Sequence, residues 1–267
     1  MSMKRRITSG LAVAMILLLL CGCGATEQKA GPGNGWEPER SMELQFATQF
    51  AVDYYGGYKL ISLADGSRFL VVPEGGQCPG GMAKDIVPLY QPLQNIYLAA
   101  TSAMCLFDAL DCLDAIKLSG TKEDGWYIEN ARRAMQEGRM LYAGKYSEPD
   151  YEMLLDHRCP LAIESLMIGH ASDVQEKLEE LGIPVFVDQS SVEPHPLGRT
   201  EWLKLYGALF NKEEIAEQLF AQQVDYLNQV MSTEPSGKKV AFFHISSSGY
   251  VVARKSGDYV TKMIELA

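Results

Sequence analysis

The sequence predicts an α/β chain in two lobes with parallel sheets, joined by a single long α-helix, with the second lobe incomplete. Three observations predict it. Short apolar runs alternate with helical segments of about ten residues from Asn95 to Val187, the pattern of a parallel sheet covered on both faces. An uninterrupted stretch then runs from Asn211 to Met231, in which Ile215, Leu219, Phe220, Val224, Leu227, Val230 and Met231 recur at helical spacing. Glu213 and Glu214 occupy its first turn and Pro235-Ser236-Gly237 ends it, so its roughly 20 residues make a rod of about 30 Å. Beyond the rod a new strand opens at Lys238 to Ile245, which makes the rod a strut between lobes.

Taken in order, the chain begins with Lys4-Arg5-Arg6, an apolar run from Leu11 to Leu20, and Cys21-Gly22-Cys23-Gly24. That is the n-region and h-region of an export leader, and the run is shorter than the roughly 20 apolar residues a membrane span needs. Gly, Pro and charge dominate the stretch up to about residue 40, as in a flexible tether. Tyr58–Leu63 and Arg68–Pro73 flank Asp65-Gly66, a hairpin signal, and Glu74 to Gly81 is loop. Strands follow at Asn95–Ala99, Ala115–Leu118, Arg139–Tyr142, Leu161–Glu164 and Ile183–Val187. Between them lie helices at Met104–Leu110, capped by Thr101-Ser102, and at Trp126–Glu137, Pro149–His157 and Asp173–Leu181. Leu197–Phe210 is a first linking helix that stops at a left-handed Asn211. Past the strut, strands at Val240–Ile245 and Tyr250–Ala253 and a helix at Tyr259–Leu266 begin the second lobe. About 30 residues cannot close a doubly wound domain, so a C-terminal truncation is expected. The expected organisation is a leader at 1–22, a tether at 23–40, an N-terminal lobe at 41–198, linking helices at 199–234 and the start of a C-terminal lobe at 235–267.

Composition is ordinary for a globular protein, with 267 residues, 47% hydrophobic and 22% charged. The net charge is −10, and loss of Lys4, Arg5 and Arg6 with the leader leaves 21 basic residues against 34 acidic ones, or −13. Such a surface repels phosphate backbones and argues against a nucleic-acid partner. Of the six cysteines, Cys78, Cys105, Cys112 and Cys159 lie in the folded part, and no CxxC spacing points to metal or redox work. An exported chain could pair these four in three ways. Cys105 and Cys112, two turns apart on one expected helix, are too distant to pair with each other without unwinding it, and buried free thiols are the expectation set against pairing. GxSxG, HExxH and P-loop motifs are missing, Ser246-Ser247-Ser248-Gly249 lacks the leading glycine of a nucleophile elbow, and His157, His170, His195 and His244 show no HxH or HxxxH spacing.

Leu20-Cys21-Gly22-Cys23 resembles a bacterial lipobox, which implies cleavage after Gly22 and acyl chains on Cys23. With it, two α/β lobes and one linking helix resemble the class III solute-binding proteins of ABC importers, which capture iron-siderophores, haem and cobalamin. The resemblance runs from about Gln91 to the end and is most specific at Asp150–Leu155, Leu161-Ala162-Ile163 and Glu179–Val185. Tyr206-Gly207 and Asn211–Ala216 resemble the approach to the linking helix, and Gly249–Val260 with Ile264–Ala267 the opening of the second lobe. Cys159-Pro160 departs from the family's Pro-Asp pair. The resemblance implies two Rossmann-like lobes and a monomeric, extracytoplasmic receptor lipid-anchored to a bacterial membrane. It would have no catalysis or cofactor of its own, and would deliver a metal-chelate ligand to a membrane permease. The resemblance also implies that Glu152 pairs with an arginine of that permease, a task compatible with stabilising a helix N-terminus. The strut itself, a helix that bends less readily than crossing strands, predicts small closure of the lobes.

Ligands of open α/β sheets sit outside the carboxyl ends of the strands. That rule selects Thr101, Ser102, Trp126, Tyr127, Glu164 and Ser165 in the first lobe, and Ser246, Ser247, Ser248, Tyr250 and Arg254 in the second. Trp126 and Tyr127 offer flat faces to a planar ligand and serve equally as ordinary packing. Arg254 suits a carboxylate or an anionic chelate, or is a solvated charge beside Lys255. A surface-anchored hydrolase or metal-dependent enzyme using the same cleft is the alternative function.

Overall fold

The computed structural model describes residues 31–33, 35–234 and 237–266. The leader, Cys23 and most of the expected tether lie outside the described residues.

The first sheet holds β1 (Arg40–Ser41), β2 (Phe50–Tyr55), β3 (Tyr58–Leu63), β4 (Arg68–Val72) and β5 (Ile86–Tyr90) in that spatial order. The first four pair antiparallel and β5 runs parallel to β4. The β3–β4 hairpin turns where Asp65-Gly66 predicts: Gly66 takes a φ of 96° and the Asp65 carboxylate accepts from the Ser67 N–H at 2.8 Å. Strands β2 and β5 are additional to the expected elements. Pro88 argues against a strand at β5, and the sheet tolerates it because β5 is an edge.

The second sheet is wholly parallel. Its strands are β6 (Ile96–Leu98), β7 (Ile116–Ser119), β8 (Leu141–Tyr142), β11 (Ala162–Ser165) and β12 (Val185–Asp188), ordered β12-β11-β6-β7-β8. A short antiparallel pair, β9 (Gly144–Lys145) and β10 (Glu148–Pro149), intervenes. Helices α1 (Met104–Ala109), α2 (Glu129–Gln136), α3 (Tyr151–Asp156) and α4 (Ser172–Glu180) alternate with the strands. Both faces are covered, as expected: Leu161 and Ile163 join the core around Phe107, Phe186, Trp202 and Tyr206, while Ala162 faces a second core with Tyr97, Leu154, Leu178 and Val185.

Helix α5 (Pro196–Phe210) is buried all round, with Trp202, Leu205, Tyr206, Ala208 and Leu209 inaccessible, so it shows no single apolar stripe. The buried Glu201 carboxylate accepts the N–H groups of Gln45, Phe46 and Ala47, each at 2.8 Å. Glu193 accepts from the N–H groups of Thr48 and Gln49 and from the Trp202 indole. Two carboxylates thus fasten the segment leading into β2 to the helix. Asn211 stops α5 in the left-handed region, as predicted, at φ 55° and ψ 39°. The Lys59 ammonium donates to Ala208 O and Asn211 Oδ1, both at 2.7 Å, and pairs with Glu213 at 2.5 Å.

Helix α6 (Glu213–Met231) packs on α5 through Ala216 and Phe220. A Cβ at Gly207 would stand 2.7 Å from the Ala216 Cβ, so the two helices approach through a missing side chain. From Ala221 onward most α6 residues are exposed, including Tyr226, Val230 and Met231. Beyond it, β13 (Phe243–Ile245) and β14 (Val251–Ala253) form an exposed antiparallel hairpin, followed by α7 (Tyr259–Leu266). The Arg199 guanidinium covers the Tyr259 ring at 3.6 Å, tying α7 to α5.

Three local expectations are corrected. The helix read from Trp126 starts at Glu129, because Trp126 is extended after a 3₁₀ turn at Glu123–Gly125. Thr101 and Ser102 lie inside a 3₁₀ turn and cap nothing with their side chains. Helix α1 ends at Ala109 and Asp111 takes a φ of 53°, so Cys105 and Cys112 do not share a helix. All four cysteines are free, but only Cys112 and Cys159 are buried; Cys78 is half-buried and Cys105 exposed. Burial pushes the Cys159 thiol up to about 11.

Candidate functional site

Strands β6, β7 and β8 follow one another to one side of the parallel sheet, and β11 and β12 continue on the other side of β6. The strand order therefore reverses between β6 and β11, and the connections leave these two strands in opposite directions. Such a switch point opens a crevice at the carboxyl ends of the strands. Backbone bonds from Ala99 and Ala100 to Ile163 O, at 2.9 and 3.0 Å, hold the two exits together.

On the β6 side the crevice presents Thr101 and Ser102, both exposed. On the β11 side come Glu164 and Ser165, whose hydroxyl accepts from the Met167 N–H at 3.3 Å and starts a 3₁₀ turn, Leu166–His170. Leu166 and Met167 in this turn are 41% and 47% exposed. The β7 exit passes close by: a Cβ on Gly120 would lie 2.8 Å from the Ala99 Cα, so only glycine lets the two loops approach. Ser119 Oγ donates to Thr121 O at 2.7 Å and accepts the Trp126 indole N–H at 3.1 Å. Trp126 is therefore a buried anchor of the loop, and Tyr127 beside it is 99% exposed. At the β8 end the Lys122 ammonium lies 5.5 Å from the centre of the exposed Tyr142 ring.

Glu164 is the most unusual group at this edge. It is inaccessible, and among the described residues neither carboxyl oxygen has a hydrogen-bond partner. Burial alone raises its protonation midpoint from 4.5 to about 8. Tyr97 stands on the same sheet face, and burial with the nearby Glu164 pushes its phenol well above the ordinary range. Asp188, at the end of β12, is buried but satisfied: it accepts from Ser190 N at 3.0 Å, Ser190 Oγ at 2.5 Å and Tyr206 Oη at 2.5 Å. Desolvation still raises its pKa, against those hydrogen bonds.

Ser102, Glu164 and Ser165 thus lie at or after the adjacent carboxyl ends of β6 and β11, while Tyr127 lies in the connection that leaves β7, next to Trp126, which Ser119 holds. Tyr250 and Arg254 lie apart from these in sequence and element, in and after the exposed β13–β14 hairpin, where Arg254 pairs with Asp258 at 3.3 Å. Glu152 is exposed in the first turn of α3, whose N-cap, Asp150, accepts from Met153 N at 2.9 Å. Sequence reasoning missed Tyr142, Leu166, Met167 and Gln189; the signal for Leu166 and Met167 is two apolar side chains directly after a strand end, and for Tyr142 an aromatic ring closing its strand. Among the described residues no group of three or more His, Cys, Asp or Glu side chains is placed to hold a metal ion, and no helix is long and apolar enough to cross a membrane.

No protein-family profile matches the sequence. An uncharacterised lipoprotein of Methanocaldococcus jannaschii is 23% identical over 98% of this chain and 71% of its own length. Among solved structures, the periplasmic haem-binding protein HutB of Vibrio cholerae superimposes with a TM-score of 0.53 at 18% identity, covering 65% of this chain and 63% of that one. The petrobactin-binding protein YclQ of Bacillus subtilis gives 0.53 at 13% identity, covering 75% and 61%. This chain spans about three-fifths of the length of the solved structures it matches. In fold, over that share of their length, the described residues match the class III periplasmic binding proteins of ABC importers.

Proposed function

We propose that this chain is a lipid-anchored, extracytoplasmic substrate-binding protein of an ABC importer. As a monomer without catalysis of its own, it captures an iron-siderophore, haem or cobalamin-type ligand and delivers it to a membrane permease. The observation that carries this is the switch point. In a fold matched by haem- and petrobactin-binding proteins, the strand order reverses between β6 and β11. The exposed Ser102, Leu166 and Met167 and the hydroxyl of Ser165 follow these two strand ends, Glu164 is buried at the end of β11, and the exposed Tyr127 and Tyr142 belong to the β7 and β8 side of the same sheet edge. Large apolar faces with a few polar groups suit a bulky chelate better than a bare ion. Trp126 sets the position of Tyr127, and Tyr250 and Arg254 supply contacts from the segment beyond α6. Cys23 carries the anchor. The exposed Glu152 docks on a permease arginine while also favouring the N-terminus of α3.

Titration of the full chain with a ferric siderophore, haemin and cobalamin, followed by tryptophan fluorescence, tests the proposal. Saturable binding of one of the three, with the ligand recovered unchanged, is expected. Chemical turnover of the bound ligand, or no binding by any, overturns it.

A further inference from the structure

Glu164 occupies a position where a carboxyl has no evident structural use. Its side chain lies on the sheet face of Ala162 and Tyr97, its register partner on β12 is Val187, and both its oxygens lack a partner among the described residues. At the neighbouring strand exit, Gln189 is 4% exposed and its amide nitrogen is likewise without a partner. A buried carboxylate with no donor costs several kcal/mol, so this strand end is relieved only by taking up a proton or by receiving a donor from outside. The turn that follows Ser165 begins with the exposed Leu166 and Met167, and moving these two residues gives up little buried apolar area.

The charges around the edge point the same way. Residues 99–105, 165–171 and 189–192, which leave β6, β11 and β12, contain no lysine or arginine. Lys122 after β7 is followed directly by Glu123 and Asp124, and Lys145 after β8 pairs with Glu148 at 3.7 Å. Sites for multiply charged anions gather arginines, whose fork matches carboxylate and phenolate oxygens. Two further arginines are already engaged: Arg199 donates to Ser191 O after β12 and stacks on Tyr259, and Arg254, beyond α6, pairs with Asp258 at 3.3 Å. The strand exits of this lobe instead carry serine, tyrosine, methionine and an unsatisfied acid.

Resting on the receptor function proposed above, we infer that the site selects a neutral or cationic chelate whose amine or amide N–H groups reach Glu164, and discriminates against multiply anionic chelates. A ligand cation that pairs with Glu164 favours its ionised form, so binding releases a proton below the raised midpoint and tightens as pH rises.

Two probes separate the possibilities: the ferric complex of a linear trihydroxamate bearing a free ammonium, and a ferric tris-catecholate trianion, each titrated into the full chain at pH 6, 7.5 and 9. The cationic complex should bind at least ten-fold tighter at pH 7.5, and its affinity should rise across the series. Glu164→Gln should weaken that complex about ten-fold, leave the catecholate unchanged and flatten the pH series. Equal or tighter catecholate binding, or a pH-independent affinity of the wild-type chain for the cationic complex, overturns the inference and leaves the receptor function standing. If neither complex, nor haemin or cobalamin, binds, the receptor function and this selectivity fall together. Circular dichroism of the variant establishes that it is folded, and the wild-type pH series decides the matter independently of it.

Discussion

Replacing Glu164 by glutamine should flatten the pH dependence of stability. In the folded protein its carboxyl protonates at about 8 instead of 4.5 because burial disfavours the charge. Below pH 4.5 both folded and unfolded chains hold the proton and the group costs nothing extra. Between 4.5 and about 8 the unfolded chain releases its proton while the folded one keeps it, so stability falls as pH rises, at about 1.4 kcal/mol per pH unit. Above 8 the folded protein carries a bare buried charge, and the accumulated loss is on the order of 4 to 5 kcal/mol. Glutamine keeps the shape and cannot ionise. For a body of about 200 residues, a kilocalorie moves Tm by about 2–4 °C. The variant should therefore melt on the order of 10 °C above wild type at pH 8.5 and close to it at pH 4.5. Thermal unfolding followed by circular dichroism at pH 4.5, 6, 7.5 and 8.5 measures this. Parallel Tm curves for the two proteins, or a wild type that gains on the variant as pH rises, would refute the physical account of Glu164.

Lys59→Met removes the ammonium that serves Ala208 O, Asn211 and Glu213, leaving a buried helix end without its donor; a loss of about 2–4 kcal/mol is expected by urea titration. Gly207→Ala brings a methyl group against Ala216 and should cost about 1–3 kcal/mol, read as a lower urea midpoint with unchanged slope. His195 accepts from the Leu197 N–H at 3.1 Å through Nδ1, and burial, with Lys262 nearby, lowers its pKa. The stability it contributes is present above its ordinary midpoint of 6.5 and drains away as pH falls below it, so His195→Asn, which keeps a cap, should show a shallower Tm loss between pH 7 and 5. Glu152→Ala should leave ligand affinity unchanged and lower uptake by cells several-fold; wild-type uptake would remove the docking role.

Much of the fold was legible because its signals are local. The strand runs of the parallel sheet, the Asp65-Gly66 turn, the left-handed Asn211 and the length of α6 each depend on residues a few positions apart, and each appears where the sequence places it within a few residues. The sequence mistook what depends on distant packing. The residue pattern places a helix start at Trp126 and leaves its ring between ligand face and core packing; the structure starts the helix at Glu129, and Ser119 holds the indole inside. Strand β5 has no clear local signal, because Pro88 is forbidden in a central strand and harmless at an edge, and edge position is a property of the finished sheet.

By itself the sequence determined the alternation of strand and helix, the parallel sheet and the rod that follows it, since hydrophobic period and turn chemistry are written residue by residue. It also placed Ser102, Glu164 and Ser165 at strand ends. Only the tertiary structure decided that β11 lies beside β6, which creates the crevice, and that Glu164 is sealed there with nothing to bond. Strand order and desolvation arise from contacts between segments some sixty residues apart, and no local pattern encodes them.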